Sequence, residues 1–161
     1  VSAKGYFDSL DADGRYKLKE SLNGQRTLDF KNGTFAKAPG LPDKLKGDEP
    51  QFVKDYFGYY KTPRGFHKRS INSNGNWNLT STLSLIDMPI LAYSDEIKSA
   101  ALLVHGEKAH SRYFSEDAFK KLKGDNKELF IVEGANHVDL YDNMEKIPFD
   151  KIESFFKTYL K

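Results

Sequence analysis

Two short apolar runs, each stopped by a glycine, constrain what this chain can fold into more than any other feature. The first is Ala100-Ala-Leu-Leu-Val-His-Gly106 and the second Glu128-Leu-Phe-Ile-Val-Glu-Gly134. Continuous apolar runs of this length predict strands buried on both faces, as in parallel sheets. Parallel neighbours need a crossover, usually a helix, and the segment between the runs supplies one. Ser115 is placed to cap it, with Glu116 and Asp117 in a first turn where the helix dipole favours acids. Ala118, Phe119 and Leu122 mark its buried face, and Gly124 is placed to end it. Beyond the second run, Pro148 suits the first position of a closing helix. Its stripe of Phe149, Ile152, Phe155, Phe156, Tyr159 and Leu160 has the helical period, as expected of a helix packed on a sheet.

Composition changes near residue 97. Before it the chain is punctuated by turn formers: Asp11-Ala-Asp-Gly14, Lys31-Asn-Gly33, Ala38-Pro-Gly40, Pro63-Arg-Gly65 and Asn72-Ser-Asn-Gly-Asn76. Short helical patterns lie between them. Phe52, Val53, Tyr56, Tyr59 and Tyr60 share one helix face, and an apolar cluster over 83–93 is interrupted by Pro89. We therefore expect a helical, loop-rich region over residues 1–96. A strand–helix–strand–helix unit over 97–161 follows, and the two form one compact body.

Composition excludes several classes. At 161 residues, 39% hydrophobic and 30% charged, the chain suits a single globular domain with a modest core. No apolar run approaches the ~20 residues a membrane span needs. The absence of cysteine removes disulfides, thiolate metal sites and a cysteine nucleophile. It leaves the compartment open, with the cytoplasm favoured. A net charge of +2, from well-mixed acids and bases, points to no acidic polymer as partner. The basic and aromatic stretch Lys61-Thr-Pro-Arg-Gly-Phe-His-Lys-Arg69 is too short to imply nucleic-acid binding and reads as a loop. Asp11-Ala-Asp-Gly14 fails as a calcium loop, since Arg15 and Leu22 fall at ligand positions, and reads as a turn. Asn32-Gly-Thr34 and Asn78-Leu-Thr80 match the glycosylation acceptor pattern, which recurs by chance. The start, Val-Ser-Ala-Lys-Gly-Tyr, has neither Met nor a signal pattern and reads as a piece of a longer polypeptide.

His137 is the leading candidate for chemistry. It follows the second run by a short loop, where open α/β sheets bind ligands beyond the carboxyl ends of their strands. Serine hydrolysis of esters needs an imidazole to take the nucleophile's proton and return it to the leaving group. His105, ending the first run, is expected to hydrogen-bond to backbone. Ser111 lacks the strained strand-to-helix elbow of a nucleophile.

Residues 99–161 resemble the end of the α/β-hydrolase fold. His105-Gly-Glu-Lys-Ala-His-Ser-Arg-Tyr-Phe-Ser115 looks like one bacterial branch, related to dienelactone hydrolases and acetyl-xylan esterases. Tyr59-Tyr-Lys-Thr-Pro-Arg-Gly-Phe-His67 and Asn72-Ser-Asn-Gly-Asn-Trp77 resemble the cap and connecting region of that branch. The resemblance implies a partial α/β-hydrolase fold: the last two parallel core strands with flanking helices, preceded by a cap. It places His137 at the catalytic histidine and implies hydrolysis of an ester or related acyl substrate without a cofactor or metal. The Gly-x-Ser-x-Gly nucleophile elbow is nowhere in the sequence, so an upstream nucleophile-bearing segment is expected and this chain alone is expected to be inactive. Where many relatives carry the acid, Ala109 stands here. Glu107 is the nearest carboxylate; Asp117, Asp139, Asp142 or an acid on the missing segment are the alternatives. His110, Ser111, Trp77 and the aromatics at 56–60 are candidates for substrate contact, although core packing also accounts for Trp77 and those aromatics. The truncated sheet is expected to self-associate. The rival reading is a non-catalytic binding or assembly module whose histidine is vestigial.

Overall fold

The structure is a computed structural model that describes residues 2–160. The chain divides into two units. One holds the stretch up to Leu45 together with Tyr60–Pro89, the other Lys46–Tyr59 and everything from Ile90. The division does not follow the composition change near residue 97, because the aromatic helix over 51–60 belongs with the carboxyl-terminal strands.

The first unit is helical. α1 (Ser2–Ser9) and α2 (Ala12–Asn32) both pack against a later helix, α5 (Ser81–Ile86). Asp11 caps α2, its carboxylate accepting from Gly14 N at 2.7 Å, so Asp11-Ala-Asp-Gly14 is a helix start and not a free turn. Gly33 ends the helix. Only Leu22 and Asp29 of α2 are buried, which is why no apolar stripe announced this helix in the sequence. An isolated antiparallel bridge joins Lys37 to Asn78, and α4 (Ile71–Asn74) is capped by Ser70.

The second unit holds α3 (Gln51–Tyr60) as far as Tyr59, β1 (Ala101–Gly106), α6 (Arg112–Lys121), β2 (Lys127–Val132), α7 (Asp139–Asp142) and α8 (Phe149–Tyr159). The strands are parallel and pair in register from Ala101↔Lys127 to Gly106↔Val132. This is a mixed helix and strand architecture with a two-stranded parallel sheet. Three local expectations are corrected. The crossover helix begins at Arg112, so Ser115 lies inside it and does not cap it. Its carboxyl cap is Leu122 and not Gly124. Pro148 precedes the first turn of α8 as its N-cap.

The strands are not buried on both faces: Ala101–His105 and all of β2 are only half-buried. A sheet of two strands leaves each with an unpaired edge, and α6 covers only part of the apolar surface. α8 likewise buries Phe155, while Phe149, Phe156 and Leu160 of its stripe stay exposed.

The loops at the carboxyl ends of the two strands are laced together. Glu107 N donates to Val132 O and Lys108 N to Ala135 O, both at 2.9 Å. A side chain at Gly106 would bring its Cβ to 2.5 Å from Ala135 O and 2.8 Å from Asn136 O. Only glycine lets the second loop cross so close above the first strand. Gly134, at φ 64°, turns the chain out of β2 in the left-handed region.

Candidate functional site

His137 is set by its own loop. Asn136 Oδ1 accepts from Val138 N at 3.0 Å and Asp139 N at 2.9 Å, while Asn136 N donates to the Asp139 carboxylate at 3.0 Å. Lys146 Nζ closes the arrangement with bonds to Asp139 Oδ2 (2.7 Å) and Gly134 O (3.2 Å). Ala135 and Val138, on either side, are fully buried. The side chain of residue 137 is thus aimed by a rigid turn.

Both ring nitrogens are engaged. Nδ1 lies 2.7 Å from Ser111 Oγ and Nε2 lies 2.9 Å from the Tyr141 hydroxyl. Ser111, only 1% exposed, also meets His105 Nε2 at 2.9 Å, and His105 Nδ1 meets Ser115 Oγ at 2.8 Å. The result is a continuous hydrogen-bonded line running through Ser115, His105, Ser111, His137 and Tyr141. β1 supplies His105, the following loop Ser111, α6 Ser115, the loop after β2 His137, and α7 Tyr141. His105 therefore bonds two side-chain hydroxyls and not the backbone as its strand-end position suggests. Ser115 reaches it because α6 starts a turn early.

α3 walls the site with aromatic rings. Phe52 stacks on His110 at 4.6 Å between centroids, and Tyr56 meets His110 and His137 edge-on at 5.5 and 5.2 Å. Tyr59 packs against Tyr141 at 5.1 Å. His110 completes the box, with its Nε2 buried and unpartnered. Burial pushes the His137 pKa down to about 4, and the neighbouring imidazoles His105 and His110 act the same way. Burial also lowers His105 and His110; Arg112 lowers His105 further, while Glu116 opposes it, as Asp55 does for His110. At pH 7 the His137 ring is neutral and able to accept a proton.

The structure places the remaining candidates as follows. Glu107 does not reach the imidazole: its Oε2 accepts from Gly134 N at 2.8 Å and ties the two loops together. The reason is geometric, since a carboxylate one residue past Gly106 faces the turn after β2. Asp117 pairs with Lys120 on the exposed side of α6, and Asp139 is held by Asn136 N and Lys146. Ser111 and His110 are brought to His137. Trp77 belongs to the first unit and is 42% exposed, with its carbonyl accepting from Ala38 N. The sequence does not mark Tyr141, His105 or Ser115 as site residues, whereas Tyr56 is among the aromatics it offers for substrate contact. Tyr141 stands one helical turn beyond His137, a spacing that could have drawn attention to it. Among the described residues no group of three His, Asp or Glu side chains is disposed to hold a metal ion, and no helix is long and apolar enough to cross a membrane.

No family model matches the chain. It is 50% identical over 161 residues to the uncharacterized protein PA2218 of Pseudomonas aeruginosa, an alignment covering 99% of this chain and 43% of that protein. It is 29% identical over 143 residues to the uncharacterized protein YcjY of Escherichia coli strain K12, covering 88% of this chain and 46% of that one. The crystal structure of the hypothetical protein PA2218 superposes with a TM-score of 0.87 at 49% identity, over 98% of this chain and 49% of the crystallised one. The chain thus spans somewhat under half the length of the curated relatives it matches.

Proposed function

We propose that these 161 residues are the histidine-bearing portion of an α/β-hydrolase acting on an ester or related acyl substrate. The observation that carries the reading is the setting of His137. A neutral imidazole is fixed in the loop past the second of two parallel strands, with a hydroxyl oxygen 2.9 Å from its Nε2. That hydroxyl, from Tyr141, stands where a serine nucleophile must stand to give its proton to a general base. In this reading the nucleophile and oxyanion hole lie on further polypeptide, which relatives about twice as long have room to carry. The half-exposed apolar strands and the uncovered part of the α8 stripe fit a sheet that continues into that polypeptide. His137 takes the serine proton and delivers it to the leaving alcohol; the box of Phe52, Tyr56 and His110 limits water around it.

The test is complementation. These residues, joined to the amino-terminal segment of a longer relative such as PA2218, should hydrolyse a chromogenic acyl ester. His137→Ala should then lower turnover by roughly 10⁴–10⁶-fold, because members of a triad act as a unit. The chain by itself should neither hydrolyse the ester nor label with an active-serine phosphonate, since histidine alone supplies no oriented nucleophile. Unimpaired turnover in the extended His137→Ala protein would remove the assignment.

One observation favours the second reading, a binding or assembly module with a vestigial histidine. Both His137 nitrogens are already satisfied within the chain, as a purely structural imidazole requires.

A further inference from the structure

We infer that His105, joined to His137 through the Ser111 hydroxyl, is a positioning residue that takes over the part a carboxylate plays in a hydrolytic triad. The relay fixes the His137 tautomer and carries the charge His137 acquires to the second imidazole. The inference rests on the reading of His137 as general base and supplies the orienting group that, among the described residues, no carboxylate provides to its Nδ1.

Proton counting gives the relay its direction. A serine hydroxyl has one proton to donate, and a neutral imidazole has one N–H and one lone pair. Ser111 touches an imidazole nitrogen on each side, His137 Nδ1 at 2.7 Å and His105 Nε2 at 2.9 Å. With both rings neutral, every proton along the line finds an acceptor when all the bonds point the same way, and two such directions exist. In the first, Ser115 donates to His105 and the line ends with His137 Nε2–H donating to Tyr141. In the second, Tyr141 O–H donates to His137 Nε2, His137 Nδ1–H to Ser111, Ser111 O–H to His105 Nε2, and His105 Nδ1–H to Ser115 Oγ. Only the second leaves a lone pair at His137 Nε2, which a general base must have. Ser111 then fills the role of the acid in a triad: it accepts from Nδ1–H and holds the ring in the competent tautomer.

The same line can move charge. When a serine hydroxyl gives its proton to His137 Nε2, the Nδ1 proton passes to Ser111 Oγ as Ser111's own proton passes to His105 Nε2. One proton has entered and none has left. His137 is then neutral with Nε2–H and the imidazolium is His105; as the Nε2 proton goes to a leaving group the relay runs in reverse, His105 returning its proton through Ser111 to His137 Nδ1. Burial disfavours a charge on either ring, and most strongly on His137, whose pKa it pushes down to about 4. Two other imidazoles, His105 and His110, oppose a charge on His137. At His105 burial and the Arg112 guanidinium oppose a charge, and the Glu116 carboxylate, paired with Arg112 at 2.8 Å, is the group that acts in its favour. On the far side of the box Asp55 acts on His110 in the same favourable sense.

The experiment reads the rings and not turnover. The chain labelled with ¹⁵N-histidine is titrated from about pH 8 to about pH 3 by long-range ¹H–¹⁵N spectroscopy, a range bracketing both the ordinary histidine value and the value of about 4 to which burial pushes His137. At the alkaline end His137 and His105 should both be Nδ1–H tautomers. On acidification their signals should move together, as one coupled titration. Ser111→Ala should give separate midpoints, and Ser111→Thr, which keeps a hydroxyl, should restore the coupling. His105→Gln keeps a hydrogen-bond donor but cannot take the charge, so the first proton bound at the two sites, which the pair carries on His105, should go on at a pH lower by about one unit, a tenfold weaker affinity. A His137 Nε2–H tautomer in the unaltered chain would overturn the inference. So would a His137 titration that neither Ser111→Ala nor His105→Gln alters; if the alanine variant does not fold, the glutamine variant alone decides. Because no ester is present, coupled rings in a protein whose complemented form fails to hydrolyse esters would remove the hydrolase reading and leave the relay standing. Uncoupled rings in an active one would do the reverse.

Discussion

Ser111 Oγ lies 2.7 Å from His137 Nδ1, on the side of the imidazole where a hydrolase places its carboxylate, and the serine is buried. The side chain nearest to that role in sequence, Glu107, is spent on Gly134 N. The two facts are linked through Gly106. Because it has no Cβ, the loop carrying His137 drops onto the end of β1, and the imidazole meets the stretch between Gly106 and α6. A substrate pocket at the carboxyl edge of the sheet would therefore be organised by loop-to-loop bonds more than by sheet width.

Gly106→Ala tests that link. The added methyl would sit 2.5 Å from one backbone carbonyl oxygen and 2.8 Å from another, neither of which can rotate away. We expect a loss of about 1–3 kcal/mol in stability from overpacking. His137 should also move away from Ser111, visible as a shifted imidazole ¹⁵N resonance. A variant with unchanged urea midpoint and unchanged histidine spectrum would show that the close crossing does not exist in solution.

Glu107→Gln separates an orienting acid from a loop tie. The carboxylate is exposed and bonds one backbone N–H; glutamine retains a carbonyl acceptor there. The stability cost should be below about 1 kcal/mol, within the range of a single net hydrogen bond. In a complemented hydrolase, turnover should stay within a few-fold of the unaltered protein. A loss of roughly 10³-fold or more, near the cost of disabling a triad acid, would return Glu107 to the catalytic machinery.

Much of the second unit was legible in the sequence, and the reasons are physical. Ala100–Val104 and Leu129–Val132 read as strands because apolar runs that short, each closed by a glycine, have the length of a strand and not of a helix, and their parallel pairing follows from the helix between them. α3 was legible because its aromatics recur at helical spacing. α2 was not: a helix that buries Leu22 and Asp29 alone carries no periodic signal, and its Asp11 cap resembled a turn. At the site, His137 was legible from position, but its partners were not. Ser115 reads as a helix cap because nothing in the sequence marks Arg112 as the start of α6. That one-turn difference converts a capping serine into a ligand of His105. Half-burial of the strands was missed for another reason: apolar composition reports what a strand is suited to cover, not what is there to cover it.

The three site histidines predict an acid-sensitive fold. Burial lowers the pKa of His105, His110 and His137 in the folded protein, the last to about 4, so the unfolded chain binds more protons. Stability is therefore fully present above the ordinary histidine value of about 6.5 and declines as pH falls toward the folded values. Urea midpoints measured between about pH 7 and pH 5 should fall with pH. His110→Phe keeps a ring to stack on Phe52 and removes a buried nitrogen that has no partner. It should raise the midpoint at neutral pH and weaken the pH dependence, since an unsatisfied buried polar group costs about 1–3 kcal/mol. A midpoint that rises on acidification over this range would contradict the burial of these rings.

The exposed apolar surface of the second unit bears on assembly. Two parallel strands leave an unpaired backbone edge on each side, a template for pairing with another chain. α8 adds Phe149, Phe156 and Leu160 on its exposed surface, the kind of apolar exposure that marks an interaction surface. Without a polypeptide to cover these features, the isolated chain should self-associate, and a two-fold dimer would satisfy the same edge on both copies at once. Sedimentation at high micromolar concentration should show a dimer or a larger species. Charges introduced by Phe156→Glu together with Leu160→Glu should shift it toward monomer if the helix contributes; association that survives them belongs to the strand edges. The amino-terminal segment of a longer relative, if it covers the same sheet, should compete with self-association and yield a one-to-one complex. A strictly monomeric chain across the concentration range, with no such segment bound, would mean that the half-buried strands need no cover, and the case for a sheet continuing into further polypeptide would lose its main structural support.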